Sequence, residues 1–172
     1  MDKQHILRKN LRLKDYDYTR YGSYFVTICT FKRKQILWDF RSGDPCGRLK
    51  PTYTELGKIA LGAIADLTDG GEIEISNYAV MPNHVHLLIN FVNPCSDSRE
   101  GCHYNLSQIV SKYKSLVSNR WLAVCKDKNI YMSKIWQRSF YDHIIRGKRD
   151  YNEIWQYIEN NPVKWEADKY YY

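Results

Sequence analysis

The run Met81–Ile89 (MPNHVHLLI) constrains this chain most, because it places two histidines one residue apart in an otherwise apolar, strand-like segment. Alternate side chains of a strand share a face, so His84 and His86 should project together while Val85 points to the other side. Two imidazoles that converge from a stiff strand form a chelating pair for a divalent metal. The alternative is two polar residues on the solvent side of an edge strand.

Two zinc chemistries are excluded by missing motifs. The chain has neither the H-x-E and P-C-x-x-C pair of deaminases nor the helical H-E-x-x-H of zinc proteases. Its five cysteines are odd in number and form no C-x-x-C pair. A disulfide framework or a zinc ribbon is therefore not expected, and a reducing cytoplasm fits better.

The composition favours a nucleic-acid partner. The formal charge is +7, and the chain contains 15 tyrosines and 5 tryptophans. Basic charge attracts phosphates, while aromatic rings stack on unpaired bases. No stretch has the apolar length of a membrane span, and the first ten residues lack the apolar core of a signal peptide. We expect one domain over residues 1–172, with residues 1–20 as a basic arm and no membrane partner.

The first half of the chain predicts a strand, a helix and a long strand or strand pair. Tyr24–Phe31 is β-branched and aromatic, as in a strand. Helical spacing of apolar residues starts at Thr54 and stops at Gly70-Gly71. Ile73–Val92 holds the long strand or strand pair that carries the histidines. The segments Gly43–Gly47 and Asn93–Gly101 are predicted loops.

The second half predicts a helix, a strand and a final helix. Asn105 and Gln108 resemble a capping box, and a buried stripe follows it; its members are Leu106, Ile109, Val110, Tyr113, Leu116, Val117 and Trp121. Trp136–Arg146 has strand character, and Arg149–Asn161 has helical spacing that Pro162 ends. The order β-α-β-(β)-α-β-α predicts an α+β fold in which helices cover one sheet.

The final helix offers a candidate nucleophile. At about 100° per residue, Tyr151, Ile154, Trp155 and Ile158 form its buried stripe. Tyr157 lies on the flank of this stripe, and Asn161, four residues on, lies above it. Asn161 precedes a proline, which disfavours helical geometry at that position. The alternative is that Tyr157 only widens the apolar face.

A tyrosine nucleophile is chemically suited to a phosphodiester. Its phenol has a pKa near ~10, so ionising it at neutral pH costs roughly 4 kcal/mol unless the site helps. A divalent metal on the phosphate offsets part of this cost. The resulting phosphotyrosine stores the cleaved linkage, and a 3′-hydroxyl can reverse the step without ATP.

Three segments together resemble the REP-associated tyrosine transposases, within the single-tyrosine HUH transposase family. They are MPNHVHLLI, which matches the His-hydrophobic-His motif, IWQRSFYDHIIR and YIENNPVKW. The resemblance implies a ferredoxin-like antiparallel sheet covered by helices. It implies a transposase that cuts single-stranded DNA bearing a hairpin and leaves a 5′-phosphotyrosine, as a monomer or a homodimer, in the bacterial cytoplasm at the nucleoid.

The resemblance also implies roles for individual residues. His84 and His86 match the ligands of Mg²⁺ or Mn²⁺, Tyr157 matches the catalytic tyrosine, and Asn161 matches the position of a polar third ligand. His143 recurs in the family pattern, either as a hydrogen-bonded strand histidine or as a support of the metal site. His143 and Asp142 lie on opposite strand faces, so only one of them can face the metal.

Candidate DNA contacts are basic residues of the arm, of the second helix and of the segments around the predicted site. They are Arg12, Arg20, Lys112, Lys114, Arg138, Arg146 and Arg149. Two other functions stay open on sequence alone. One is a non-catalytic hairpin-binding protein derived from a transposase. The other is a metal oxygenase, which would need a carboxylate ligand and a concave apolar pocket.

Overall fold

The computed structural model describes residues 22–39, 52–69, 71, 73–92, 105–168 and 170. In chain order its elements are β1 (Ser23–Cys29), β2 (Trp38–Asp39), β3 (Thr52–Tyr53), α1 (Glu55–Ala65), β4 (Ile73–Val80), β5 (His84–Phe91), α2 (Leu106–Asp127), β6 (Tyr141–Ile144) and α3 (Lys148–Asn160). The predicted basic arm and the two predicted loops lie outside the described residues. Among the described helices, none combines the length and apolar character needed to cross a membrane.

The main sheet is antiparallel, with strand order β4-β5-β1-β6. α1 connects its first two strands in the chain and α2 connects its last two. This alternation of strands and helices, with that order in the sheet, is the ferredoxin-like arrangement. The predicted α+β fold with a helix-covered sheet is confirmed. β2 and β3 form a separate two-stranded sheet.

The register of the sheet decides which side chains share the histidine face. Thr27 of β1 lies opposite His86 of β5, and Cys29 lies opposite His84. Directly opposed residues point to the same face, so this face also carries Phe25. α3 covers it, with the ring of Tyr157 packed edge-on against Phe25 at 5.8 Å. The other face belongs to the core that α1 and α2 close.

Both core helices begin where the sequence predicted, and the predicted capping box is present at the start of α2. Asn105 and Gln108 form a full capping box, with Gln108 N donating to Asn105 Oδ1 (3.0 Å) and Asn105 N donating to Gln108 Oε1 (2.7 Å). Thr54 Oγ1 likewise accepts a hydrogen bond from the N–H of Gly57 (3.0 Å) at the start of α1. The Tyr113 hydroxyl donates to Ala60 O (2.9 Å), which ties α2 to α1.

Two sequence predictions were wrong in extent. The predicted strand Trp136–Arg146 is reduced to β6, and Trp136 makes one isolated bridge to Thr30. In the segment before β6, the carbonyls of Gln137, Arg138 and Ser139 accept hydrogen bonds from the Lys114 ammonium rather than from a neighbouring strand. In α3, Ile158 alone of the predicted stripe is fully buried, and Trp155 is 36% exposed. α3 packs on this face of the sheet with one stripe of its surface, so the flanks of the helix stay exposed to solvent.

Gly57 should be essential to the packing of α1, and its replacement by alanine should destabilise the fold by about 3 kcal/mol. A Cβ there would lie 2.0 Å from the carbonyl oxygen of Leu37, a backbone atom that cannot move aside alone. Gly62 of the same helix is the matched control, since a Cβ there meets nothing within 4 Å. Gly62→Ala should stabilise by roughly 0.5–1 kcal/mol. Urea unfolding of both variants measures the difference, and equal stabilities would contradict this packing.

Candidate active site

The two histidines of β5 converge on one point. His84 and His86 are fully buried, and their Nε2 atoms lie 2.9 Å apart. The outer nitrogens are held by neighbours: His84 Nδ1 lies 2.8 Å from Asn83 Oδ1, and His86 Nδ1 lies 2.9 Å from Thr27 Oγ1. Such partners fix the ring orientation of metal-binding histidines. Both Nε2 atoms therefore point towards the same position.

Tyr157 reaches this point from α3. Its hydroxyl lies 3.5 Å from His86 Nε2 and donates a hydrogen bond to Asp168 Oδ2 at 3.0 Å. The side chain is 36% exposed, as its predicted flank position requires. The ring packs between Phe25 and His86, at centroid distances of 5.8 and 5.3 Å. The phenol oxygen is thus held beside the histidine pair while one side stays open.

Asn161 lies above Tyr157 on the same side of α3. Its backbone is helical (φ −58°, ψ −45°) although a proline follows, so the wheel position predicted from sequence holds. The amide Nδ2 donates to Asp168 Oδ2 at 2.7 Å. Its Oδ1 is buried and makes no hydrogen bond to any described residue. A buried oxygen without a partner is costly, and a bound cation would satisfy it.

Asp168 is a member of the site that the sequence reasoning missed. One carboxylate oxygen and one nitrogen of each histidine all lie within 4.8 Å of one another, in a set that could hold a metal ion. Asp168 comes after the single-turn 3₁₀ helix Trp165–Ala167, in an irregular turn. No periodic pattern marks such a position. The only signal was the expectation that a histidine pair needs a third ligand.

Tyr170 holds Asp168 in place and covers the histidines. Its backbone N–H donates to Asp168 Oδ1 (2.6 Å), and its carbonyl accepts from Asn83 Nδ2 (2.8 Å). Its ring lies 4.7 Å from the His84 ring, and the Arg33 guanidinium lies over the Tyr170 ring, 5.2 Å from its centroid. The turn after α3 is therefore fixed by both sequence neighbours and β-sheet residues.

Burial and charge keep the Tyr157 phenol protonated. Burial is the main cause that raises its pKa above the ordinary value, and the adjacent Asp168 carboxylate raises it further. Burial also raises the pKa of Tyr170 to about 12. At neutral pH the phenol is therefore protonated, and its hydroxyl donates a hydrogen bond to Asp168. Positive charge near the oxygen would lower that pKa and favour the phenolate.

His143 shares the face of the histidine pair but has a different partner. It pairs with Phe25 in the sheet, whereas Asp142 pairs with Val26 and points to the other face. The His143 ring lies 2.9 Å from the Asp150 carboxylate in the first turn of α3. The Arg146 N–H and then His143 lower the pKa of that carboxyl group. His143 is thus a hydrogen-bonded strand histidine that anchors the start of α3.

The candidate DNA contacts occupy different settings. Lys114 does not point freely into solvent as predicted, because its ammonium donates to the carbonyls of Gln137 (2.9 Å), Arg138 (3.4 Å) and Ser139 (3.1 Å). Burial lowers its pKa to about 8. Arg149 pairs with Glu153 one turn along α3 (2.8 Å). The side chains of Lys112, Arg138 and Arg146 are exposed, and Arg12 and Arg20 lie outside the described residues.

Comparison with known proteins defines the class to which this fold and site belong. Residues 47–161 match the family model of the IS200-like transposases. This match spans more than half of the chain, and the chain belongs to the IS200-like transposase family. The likeness to transposases inferred from the three sequence segments is confirmed.

Two curated relatives come from Haemophilus influenzae. One, of uncharacterised function, is 28% identical over 183 residues, which cover 95% of this chain and 93% of that protein. The other carries the provisional name of REP-associated tyrosine transposase and is 25% identical over 149 residues, covering 86% of this chain and 74% of its own.

Two solved structures share the fold. A REP-associated tyrosine transposase bound to a REP hairpin superposes with a TM-score of 0.60 at 23% identity, over 92% of this chain and 76% of that one. A protein of Deinococcus radiodurans, provisionally described as a transposase, gives a TM-score of 0.50 at 20% identity, over 87% and 95% of the two chains. At these sequence identities the similarity shows a shared fold and nothing further.

Proposed function

We propose that this chain is a single-domain, metal-dependent endonuclease and strand transferase that acts on single-stranded DNA beside a hairpin. The observation that carries the proposal is the meeting of Tyr157 Oη, the buried His84–His86 pair and Asp168 in one cluster. Membership in a transposase family supplies the reaction class. The hairpin bound by the structurally similar transposase supports the substrate.

The residues present fit Mg²⁺ or Mn²⁺. Two convergent imidazole nitrogens and a carboxylate would hold the cation, and the unpartnered Asn161 Oδ1 offers a further oxygen. Oxygen ligands suit these hard cations, and imidazole completes the set. When bound, the cation polarises the phosphate and orients it for attack.

The side chains of the site would perform a reversible transfer of the DNA phosphate to tyrosine. Tyr157 Oη attacks the phosphorus, so that the Oη–P bond forms and the P–O3′ bond breaks. The phenol proton leaves towards Asp168, which already accepts it in a hydrogen bond. The upstream strand departs as a 3′-oxyanion, which takes a proton from water to give the free 3′-hydroxyl, and the downstream strand stays attached through its 5′-phosphate. Attack by another 3′-hydroxyl on this phosphotyrosine rejoins DNA.

The other two functions are less well supported. A hairpin-binding protein without catalysis would not need a tyrosine hydroxyl placed 3.5 Å from a buried histidine nitrogen. A metal oxygenase would find its carboxylate in Asp168. Membership in a transposase family, however, favours DNA cleavage over oxidation.

A covalent adduct assay tests the proposal. The protein is incubated with a DNA hairpin that carries single-stranded flanks, with Mn²⁺ or with EDTA, and is then run on a denaturing gel. We expect a shifted, protein-linked DNA band with Mn²⁺ and none with EDTA or with a fully paired duplex. DNA binding without any adduct under all metal conditions would favour the non-catalytic hairpin-binding protein.

A further inference from the structure

A pocket of about 320 Å³ that is lined mainly by polar residues, with about half of its surface apolar, opens beside Tyr157. One wall is a ridge of the helix that presents Gln156 and Asn160, and the opposite wall is the turn that carries Lys164 and Ala167. Its inner end is formed by Tyr157 and Asp168. The volume lies at the lower end of the range of about 300–1,000 Å³ for small-ligand pockets. One nucleotide fits this space, whereas a longer segment of DNA does not.

The walls of the pocket are held in place. The backbone N–H of Lys164 donates to the carbonyls of Asn160 and Asn161, both at 3.1 Å, which fixes the turn against the end of α3. Asn160 Nδ2 donates to the carbonyl of Gln156 at 2.7 Å, which orients that amide and leaves its Oδ1 pointing away from the bond. The backbone of the turn and the Asn160 amide are therefore held in place before a ligand binds.

The chemistry of the walls suits a nucleotide. Side-chain amides of Asn and Gln present a donor and an acceptor together, which is the pattern that reads a base edge. The Lys164 ammonium adds a cation for a phosphate. Glu153 also lines the pocket, and its carboxylate accepts a hydrogen bond from Arg149 at 2.8 Å, which partly offsets its negative charge at the rim. The pocket combines base-reading groups with a phosphate-binding group.

The position of the pocket selects which nucleotide it takes. In an in-line displacement the leaving group departs on the side opposite the nucleophile. The pocket borders Tyr157 itself, so the departing 3′-hydroxyl strand cannot be its occupant. The retained nucleotide is joined to Tyr157 through its 5′-phosphate and has to lie beside the tyrosine. We propose that this pocket binds and reads the first nucleotide on the 3′ side of the cut, with Gln156 and Asn160 as specificity-determining residues.

This proposal rests on the proposed function, and one experiment separates the two. The full chain is incubated with Mn²⁺ and a DNA hairpin whose single-stranded flanks are randomised on both sides. The DNA attached to the protein and the released 3′-hydroxyl fragments are then sequenced. Wild-type adducts should be enriched in one base at the first attached nucleotide. The double variant Gln156→Ala/Asn160→Ala should reduce this enrichment about tenfold, in line with about 1–3 kcal/mol per base-reading pair.

Asn152→Ala is the matched control, since this exposed amide lies on the same helix and does not line the pocket. It should keep the wild-type enrichment. Unchanged enrichment in the double variant, a change confined to the released upstream fragment, or no base preference in the wild type would overturn the pocket proposal alone. Absence of any wild-type adduct would overturn the proposed function and the pocket with it.

Discussion

Tyr157→Phe is expected to abolish the covalent protein–DNA adduct and to leave hairpin binding within about twofold of the wild type. The change removes one oxygen, the atom that we assign to the Oη–P bond, and it keeps the ring contacts with Phe25 and His86. Loss of the nucleophile of a covalent mechanism costs a factor of roughly 10⁴ or more. Adduct yield on a denaturing gel and binding by fluorescence anisotropy measure the two effects.

The matched control is Tyr151→Phe, on the same helix. Tyr151 packs against Trp155 and does not line the pocket beside Tyr157. This variant should retain the wild-type yield of adduct. Equal yields from Tyr157→Phe and from the wild type would remove Tyr157 from the mechanism, and loss of hairpin binding in Tyr157→Phe would show that its role is structural.

His86→Ala is expected to weaken Mn²⁺ binding by at least about 100-fold, because it removes one of two convergent nitrogens. Even outer partners of metal ligands are worth about 10–100-fold in affinity. Asp168→Asn should weaken binding by about tenfold or more, since it removes the negative charge and keeps the shape of the side chain. Calorimetric titration with Mn²⁺ reports binding independently of DNA cleavage.

Two further variants make this experiment specific. His143→Gln alters a histidine on the same sheet face whose partner is Asp150, and it should leave the Mn²⁺ affinity unchanged. Asn161→Ala tests the third ligand predicted from sequence. We expect a smaller loss than in Asp168→Asn, because the amide nitrogen of Asn161 is already turned towards the carboxylate. A larger loss in Asn161→Ala would assign the third ligand to the amide oxygen.

The parts of the fold that sequence predicted are those with strong local patterns. The alternation around His84–Ile89 fixes a strand and the common face of its two histidines, and both appear in β5. The capping box at Asn105 and the apolar stripe that follows give α2 at its observed start. In these segments the spacing of the apolar side chains and the residues at the ends of each element predict the same structure. Contacts with distant residues therefore have little influence on it.

The parts that sequence missed depend on contacts between distant residues. Asp168 enters the site because Asn161 and Tyr157 bind its carboxylate, and Asn83, 87 residues away in the chain, binds the Tyr170 carbonyl. The helical wheel places Lys114 on an outer flank, but it cannot show that three carbonyls come within reach of its ammonium. The geometry of turns and the packing between distant residues determine such positions, and no periodic sequence pattern predicts them.

Mass-spectrometric mapping of the residue that carries DNA is the decisive test of Tyr157 as the nucleophile. Wild-type protein is reacted with the hairpin DNA and Mn²⁺, and the adduct is digested with protease and nuclease. We expect a 5′-nucleotide phosphate on Tyr157, in the peptide that contains Tyr157–Pro162. Tyr170 provides a demanding alternative, because its ring lies only 4.7 Å from that of His84. A modification on Tyr170, or on no tyrosine at all, would contradict the assignment of Tyr157 as the nucleophile.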